Sequence, residues 1–536
     1  MSEIINEQCS DILFTLGAVG LAETTGPWDK AMVEATIYSV ADFASEILAP
    51  SNSIADQQGC TLENGKVKVP AILEEAYAEY VGRGLNLLGL GTEFGGLGAP
   101  ALVQLAAIEL MSGTNHSFQM SVGLVPGVAE VIARNCSSES AQKYIAPMAS
   151  GETLATMCLT EPDAGSDLNN IRCLATRNAN GWSVSGAKIF ISGGDQSMSD
   201  DILHLVLAKT GVRDDGRTAL SLFAVTGSDQ VSVLRIEEKL GLHASPTCAL
   251  HFEKANAVLV GEEGRGLAAM FVLMNHARID VAMQAVGHAS AAFLKANEYA
   301  SHRIQGRDQT GAPTLISGHG DVKRMLREME AATLGLRCMC YLAMSGEHSG
   351  LIEFLTPVCK AFVTDRGVAS VDTAIQVLGG YGYLIEYGLE QHWRDARITR
   401  IYEGTNGIMG MTLVDRLLFV KDGSLADQFA ETAEKYAASA PNNIADQLRD
   451  VVGLWRKSRS LVVASENRGA LAHSFLTLTG LVWNLCGWSV LVLKSEQAKS
   501  PERIRELGHY ACKNALQEAQ FIASQIGVAA SRDRES

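Results

Sequence analysis

The spacing of apolar residues divides the chain into helical stretches on either side of one stretch of alternating residues. From Asp29 onward, apolar positions recur every three or four residues, which predicts a helix with one buried face that Pro50 ends. The same spacing recurs over residues 72–88, 102–112 and 125–135. The first part of the chain, residues 1–155, is therefore predicted to be a helical domain.

The pattern changes over residues 156–265 to short alternating runs that Gly, Asp and Asn separate, which predicts a compact antiparallel β domain. The predicted strands are 182–186, 189–191, 203–208, 220–225 and 231–236. Long Ala-rich helical patterns return over residues 266–423 and predict a bundle with helices at 267–275, 279–301, 320–344 and 355–378. Residues 424–536 add a further helical extension. The predicted fold class is α+β, with an N-terminal helical domain, a middle antiparallel β domain, and a C-terminal helical bundle with its extension.

Composition narrows the class of protein. With 47% hydrophobic and 19% charged residues the chain is predicted to be soluble and globular, and its net charge of -16 argues against non-specific nucleic-acid binding. The eleven cysteines are scattered without metal-ligand spacing, so we expect reduced thiols, no bound metal and a cytoplasmic location. The apolar run 474–493 contains Thr477 and Asn484, which favours a buried helix over a membrane span.

One glycine-rich stretch, residues 89–98, has the composition of a dinucleotide-binding loop. It follows no clear strand and its glycine spacing differs from the dinucleotide pattern, so it is predicted to be a surface loop. A nicotinamide cofactor is therefore not supported.

The candidate for catalysis is Glu403, which lies in a small apolar turn after a charged helix. Such a carboxylate is either part of a solvent-exposed capping turn or a desolvated base, and the local sequence leaves both interpretations open. Three motifs occur in order within about thirty residues: QVLGGYG at 376–382, RDAR at 394–397 and YEGT at 402–405. The third of them contains Glu403. Earlier in the chain stand MCLTEPDAGSD at 157–167 and KIFIS at 188–192.

Together these strings resemble the acyl-CoA dehydrogenase superfamily, whose corresponding motifs are QxxGGxG, an RDAR-like helix end, (Y)EGT, CxTEPxAGSD and KxWIT. The resemblance implies FAD as the cofactor and Glu403 as the catalytic base. Residues 275–278 and 303–307 also match family segments that contact acyl-CoA and the FAD of a neighbouring subunit. The residues implied to bind FAD are Met157, Cys158, Leu159, Thr160, Ser166, Phe190, Ile191, Ser192, Arg303, Gln305, Gln376, Leu378, Gly379, Gly380, Thr405 and Asn406. Those implied to bind acyl-CoA are Ser166, Asn275, Arg278 and Gly404.

The implied reaction is α,β-dehydrogenation of an acyl-CoA thioester to a trans-2-enoyl-CoA, with electron transfer flavoprotein as acceptor and a homodimer or tetramer as the assembly. The C-terminal extension and residues 238–247 resemble the larger bacterial branch that includes 3-methylthiopropanoyl-CoA dehydrogenase. That branch, together with medium-sized apolar candidates such as Met111, Phe118 and Met120, favours a short to medium acyl-CoA, with 3-methylthiopropanoyl-CoA as the named candidate. The alternatives are an acyl-CoA oxidase and a non-enzymatic, flavin-containing nucleic-acid-binding relative.

Overall fold

The structure is a computed structural model that describes residues 3–21, 27–179, 181–213, 215–227 and 229–532. The predicted outer domain limits, residues 1 and 536, lie outside this part of the chain. The α-helices of the described residues are α1 (Glu3–Ala18), α2 (Lys30–Phe43), α3 (Ala49–Gln58), α4 (Ala71–Gly82), α5 (Ala101–Val122), α6 (Val125–Asn135), α7 (Ser138–Ala149), α8 (Gly266–His302), α9 (Gly320–Met344), α10 (Ile352–Leu378), α11 (Leu389–Ala396), α12 (Asn406–Thr412), α13 (Ser424–Ser439), α14 (Asn442–Ala464), α15 (Arg468–Leu493) and α16 (Pro501–Arg532). The strands are β1 (Thr61–Glu63), β2 (Lys66–Lys68), β3 (Thr153–Cys158), β4 (Leu174–Asn178), β5 (Gly181–Ser192), β6 (Asp201–Val212), β7 (Thr218–Val225), β8 (Val231–Ile236), β9 (Thr247–Val260), β10 (Ile304–Arg307) and β11 (Pro313–Leu315).

The chain forms two compact units, each described here by itself. The helical unit consists of Met1–Ala41, Leu105–Gly113 and Arg278–Ser536, and the mixed unit consists of Asp42–Gln104 and Thr114–Ala277. Helices before and after a β region agree with the predicted fold class. The four domain boundaries set from the sequence remain predictions.

Helical structure continues through Pro50, where the sequence predicted an end. After α2 the chain forms a π-helical turn, Ala44–Leu48, and passes directly into α3 with Pro50 in its first turn. Proline is tolerated in the first turn of a helix because its fixed φ suits the helical backbone. The predicted end was therefore wrong, and α3 ends before Gly59, whose φ is 63°.

A seven-stranded sheet forms the β part of the mixed unit. Its order is β3-β6-β4-β5-β9-β7, and β8 pairs with β9. Most pairs are antiparallel, as predicted, but β3 and β6 run parallel with Thr153 opposite Asp201. A parallel pair requires a long crossover, and here the connection contains β4 and β5.

Two strands differ from their predictions. Residues 182–186 and 189–191 belong to one strand, β5, whose pairing with β9 shifts register between Val184 and Gly186 and again between Lys188 and Ile191. The longest strand, β9, was not predicted, because the polar run 253–256 interrupts its apolar alternation. It pairs with β5, β7 and β8, and this pairing outweighs weak local propensity.

The helical unit is built around long helices. Residues 267–275 and 279–301 were predicted as separate helices, but the polar stretch between them is part of one helix, α8. Arg503 of α16 ties three helices together, since its guanidinium donates to Asp11 of α1 at 2.8 and 2.9 Å and to Glu330 of α9 at 2.5 Å. The C-terminal extension thus shares its packing with the bundle.

Helix α15 is long and apolar enough to cross a membrane, and it is the one such helix in the described part of the chain. Of its most apolar 18-residue window, 78% is buried inside the structure. The Trp483 indole donates to the Met339 carbonyl of α9 at 3.0 Å, and the Trp455 indole of α14 donates to the Thr479 hydroxyl at 2.9 Å. These contacts are those of a core helix, in agreement with the sequence interpretation of this run.

Candidate active site

The turn that carries Glu403 has an unusual backbone. Glu403 has a φ of 53° and Gly404 a φ of 91°, so two consecutive residues are in the left-handed region. A residue with a Cβ is uncommon there, and such strain persists only where surrounding structure enforces it. At residue 404 a Cβ would also lie 2.5 Å from the end of the Met409 side chain, and the left-handed φ would strain any residue other than glycine. The turn ends where the Thr405 hydroxyl accepts from the Ile408 N–H at 3.2 Å and caps α12.

A buried lysine on α10 holds this turn. The Lys360 ammonium donates to the Gly404 carbonyl at 2.6 Å and to the Asn406 side-chain oxygen at 2.9 Å. The Asn406 amide donates in turn to the Ala361 carbonyl and the Thr364 hydroxyl, at 3.2 and 3.0 Å. Lys360 is 0% exposed. The side chain of Asn406, predicted to bind FAD, is thus engaged with α10, and its part in cofactor binding remains a prediction.

Charges near Glu403 set its proton affinity. Burial raises the pKa of the Glu403 carboxyl, while the positive charges of Arg278 and Lys360 act against that rise. Arg278 is buried, and its Nε donates to the Glu403 carbonyl at 3.5 Å. Burial lowers the pKa of Lys360 to about 7, although the charges of Glu403 and Asp365 oppose this. A carboxyl whose pKa is raised by burial accepts a proton more readily than an ordinary glutamate does, which suits a general base.

Lys360 was not identified from the sequence. A signal was present, because it is a single charge within the otherwise apolar run 354–363 of α10. A charge on such a helix is buried only when it is paired or hydrogen-bonded. Its partners, however, lie more than forty residues further along the chain, so the sequence did not indicate what it bonds.

A second group of predicted residues comes together at the end of α10. Arg303, Gln305, Leu378, Gly379 and Gly380 line one open groove of about 450 Å³. The Arg303 guanidinium lies over the Tyr381 ring, 5.4 Å from its centroid. Gln376 is exposed on the last turn of α10. The groove therefore combines a cation, aromatic and apolar side chains, and exposed glycine backbone.

The third group lies in the mixed unit, where β3 leads into the loop after Cys158. The Lys188 ammonium of β5 donates to the Leu159 carbonyl at 2.8 Å and to the Glu161 carboxylate at 2.7 Å. That carboxylate also accepts the N–H groups of Arg172 and Cys173, at 2.7 and 3.1 Å. Lys188 is 0% and Glu161 5% exposed. This buried ion pair fixes the loop that carries Thr160 and Ser166, although neither partner was predicted as a site residue.

Phe190 stands out on β5. Its side chain is 60% exposed and its φ is 59°, at the register shift between Lys188 and Ile191. An exposed aromatic ring on a left-handed backbone is unfavourable for folding alone, which is typical of a residue kept for binding. The neighbouring Ser192 is half-buried.

The other predicted residues differ in accessibility. Ser166 is exposed, and Met157, Leu159, Thr160 and Asn275 are half-buried. The Cys158 side chain is fully buried, which raises the pKa of its thiol to about 12, so only its backbone is available to a ligand. Ile191 is likewise buried. Phe118, a candidate for the acyl pocket, is 0% exposed and packs edge-on against Tyr80, which makes it a core residue of the mixed unit.

Comparisons with known proteins cover most of the chain. Family models match in order: the acyl-CoA dehydrogenase N-terminal domain over residues 33–152, the middle domain over 156–255 and the C-terminal domain over 264–418. The 3-methylmercaptopropionyl-CoA dehydrogenase of Ruegeria pomeroyi is 35% identical over 499 residues, which are 85% of this chain and 85% of that protein. A butyryl-CoA dehydrogenase of Syntrophomonas wolfei is 30% identical over 75% of this chain and 73% of its own length.

Solved structures agree. The butyryl-CoA dehydrogenase from Megasphaera elsdenii is 27% identical, with a TM-score of 0.63 over 72% of this chain and 98% of that one. An acyl-CoA dehydrogenase complexed with FAD from Bacillus anthracis has a TM-score of 0.77 over 95% of this chain and 90% of that one; at 22% identity it shows the fold alone. Fold and family models together define an oxidoreductase of acyl-CoA metabolism. The chain belongs to the acyl-CoA dehydrogenase family, as its motifs predicted.

The ion pair in the mixed unit gives a first testable prediction. Lys188→Met should lower the free energy of unfolding by about 3–5 kcal/mol, because it leaves the Glu161 carboxylate buried without its cation. Adding Glu161→Gln should recover part of this loss. Thermal unfolding followed by circular dichroism is the measurement, and Lys143→Met, on an exposed helix surface of the same unit, is the control with an expected change within about 0.5 kcal/mol. Equal melting curves for Lys188→Met and Lys143→Met would contradict the assigned role.

Proposed function

We propose that this protein is an FAD-dependent acyl-CoA dehydrogenase in which Glu403 removes the α-proton of an acyl-CoA thioester. The observation that carries the proposal is the strained turn of Glu403, which places a carboxyl of raised pKa beside Arg278 and Lys360. The product is the trans-2-enoyl-CoA. The cofactor is FAD, as the sequence motifs predicted, and membership of the acyl-CoA dehydrogenase family supports it.

Two features of the described residues fit FAD. Phe190 presents an exposed ring face on a strained backbone, which suits stacking on a flat aromatic ring system, with the Ser192 hydroxyl two residues away. Arg303 lines a groove with exposed glycine backbone at Gly379 and Gly380, which suits a pyrophosphate or another anionic part of a dinucleotide. These residues hold the cofactor in our proposal, together with the backbone from Met157 to Thr160 and with Thr405.

The reaction follows from the properties of the carboxylate. Glu403 takes the α-proton onto its carboxylate oxygen. Burial raises the pKa of this carboxyl and so favours the transfer, while the positive charges of Arg278 and Lys360 limit the rise in pKa. FAD, when bound, supplies the acceptor for the hydride that leaves the β carbon. The backbone N–H of Glu403 stabilises the negative charge that develops on the thioester oxygen. Asn275, Arg278, Ser166 and Gly404 are the proposed contacts to acyl-CoA, and electron transfer flavoprotein, in the cytoplasm, is the proposed acceptor.

The base can be tested directly. Glu403→Gln should still bind FAD and acyl-CoA but reduce its flavin roughly 10²- to 10⁴-fold more slowly, because an amide of the same volume cannot accept the proton. Anaerobic stopped-flow bleaching of the flavin gives the rate, and Glu386→Gln, an exposed carboxylate of the same segment, is the matched control. If Glu403→Gln bleaches at the wild-type rate, Glu403 is not the base.

The substrate proposal is a short to medium acyl-CoA, with 3-methylthiopropanoyl-CoA as the first candidate. It is supported by the printed names of the two relatives above, one a 3-methylmercaptopropionyl-CoA dehydrogenase and the other a butyryl-CoA dehydrogenase. We expect kcat/KM with an artificial electron acceptor to be higher for 3-methylthiopropanoyl- and butanoyl-CoA than for octanoyl- and palmitoyl-CoA. A preference of about tenfold for palmitoyl-CoA would reject the proposal. Turnover with dioxygen alone would identify an oxidase instead.

Assembly is proposed from the surface around the Arg303 groove. Large apolar side chains are exposed there: Ile304, Tyr381, Tyr383, Leu384 and Ile385, with Tyr383 84% and Ile385 66% exposed. Such a cluster is typical of an interface, and two-fold symmetry lets both copies bury the same surface. We therefore propose a homodimer or tetramer in which Arg303 contacts the FAD of a neighbouring subunit.

Light scattering should accordingly give a dimer or tetramer for the wild type. Ile385→Asp should shift the population toward monomer and lower the FAD content, because it places a charge in the interface. Phe521→Asp, at an apolar residue equally exposed on α16, should change neither quantity. A wild-type monomer that is fully loaded with FAD would contradict the assembly.

A further inference from the structure

Lys360 is a fully buried lysine that takes no direct part in the proposed proton transfer. Its two hydrogen-bond acceptors, the Gly404 carbonyl and the Asn406 side-chain oxygen, are neutral groups. Burying an ammonium against neutral partners costs more than placing a Met or Leu there. Packing alone therefore does not explain a lysine in the apolar interior of α10.

The location of its partners points to the turn. Residues 404 and 405 join the left-handed Glu403 to Asn406, the first residue of α12. The two hydrogen bonds of Lys360 therefore attach both ends of this short connection to α10. The Arg278 guanidinium of α8 donates to the Glu403 carbonyl itself. Two long helices thus hold the consecutive carbonyls of Glu403 and Gly404, directly after the Glu403 side chain.

The charge of Lys360 also bears on Glu403. Four charged groups influence Lys360: the carboxylates of Glu403 and Asp365 and the guanidinium groups of Arg278 and Arg400. Asp365 is already paired with Arg400 at 2.5 Å and accepts the Asn406 amide at 3.1 Å. Because Asp365 already has these partners, Glu403 is the other carboxylate on which the charge of Lys360 acts.

We propose that Lys360 is a positioning residue for the dehydrogenation, which fixes the Glu403 turn through its hydrogen bonds and stabilises the ionised base through its charge. This inference rests on the proposed function, since it assigns Lys360 a part in the same reaction. Lys360 acts on Glu403 through its hydrogen bonds to Gly404 and Asn406 and through its charge, and it does not itself accept the substrate proton.

The two parts of the proposal predict different changes in Lys360→Met. Loss of the hydrogen bonds should move the base, and a small displacement of a catalytic group can cost roughly tenfold to hundredfold in rate. Loss of the charge should raise the pKa of Glu403, because a neighbouring cation favours the carboxylate. The acidic limb of the rate against pH should then move upward by about one pH unit.

The experiment measures anaerobic flavin bleaching by acyl-CoA between pH 5 and about pH 9 in the FAD-loaded wild type and in four variants. Lys360→Met and Lys360→Gln should both show slower bleaching and the upward shift, and Lys360→Gln serves if the methionine variant does not fold. Lys360→Arg keeps the charge and should keep the acidic limb in place. Thr364→Val, which disturbs the same network without changing a charge, should leave the limb unmoved.

Hydrogen exchange over residues 401–412 provides a readout that does not depend on activity. It should be faster in Lys360→Met than in the wild type, since the turn loses its attachment to α10. Unchanged exchange would overturn the positioning role, and an unmoved acidic limb in both neutral variants would overturn the electrostatic role. Wild-type protein that no acyl-CoA bleaches, or Glu403→Gln that bleaches normally, would instead reject the proposed function, so the two failures are distinguishable.

Discussion

The backbone strain at Glu403 is the constraint on which the proposed chemistry depends. A left-handed conformation costs about 1–3 kcal/mol for a residue with a Cβ, so it requires contacts that leave the chain no alternative. These contacts come from α10 through Lys360, from α8 through Arg278, and from the cap at Thr405 that begins α12. A relaxed turn would direct the carboxylate elsewhere and allow solvent to lower its pKa.

The same device occurs a second time, in the other unit. Lys188 of β5, also fully buried, donates to the Leu159 carbonyl and so fixes the loop that follows β3. In each unit a lysine on a regular element reaches the backbone of an irregular segment that carries predicted site residues. Lysine suits this task because its long side chain places up to three donors on one atom, whereas a neutral amide offers two. A buried charge also makes the arrangement specific, because any alternative conformation that leaves it unpaired is costly.

Much of the fold was predictable from the chain. Helix limits at α6 and α9 follow directly from apolar spacing, and the motif strings identified the family that the comparisons confirm. The misses have physical reasons. The first helix was predicted to end at Pro50 because proline usually ends a helix and the π-helical turn before it leaves no sequence signal. Strand β9 was overlooked because its stability comes from three neighbouring strands. The pairing of β9 depends on contacts that are distant in sequence, whereas the continuation through Pro50 is a local departure of the backbone from the α-helix.

The candidate site shows the same division. Glu403, Phe190 and Arg303 lie in strings that a reader can recognise, and the structure gives each an unusual feature: a strained turn, an exposed ring or a groove. Lys360 and Glu161 carry equally specific contacts, but their partners are fixed only by folding. Motifs thus indicated the groups proposed to contact ligands, while the groups that hold them in place became apparent only from their contacts in the folded chain.

The C-terminal helices have a consequence for how such proteins diversify. Gly480 of α15 lies so close to α10 that a Cβ would meet the Phe362 ring at 2.4 Å. Gly410 of α12 lies against the backbone of Ala472, which also belongs to α15. Helix α15 is therefore in contact with α10, which holds the Glu403 turn through Lys360, and with α12, which follows the turn. An extension attached in this manner cannot be exchanged between relatives as an independent module, because its inner surface and the catalytic helices must change together. Relatives that carry this extension are expected to show paired substitutions at the contacts of α15 with α10 and α12.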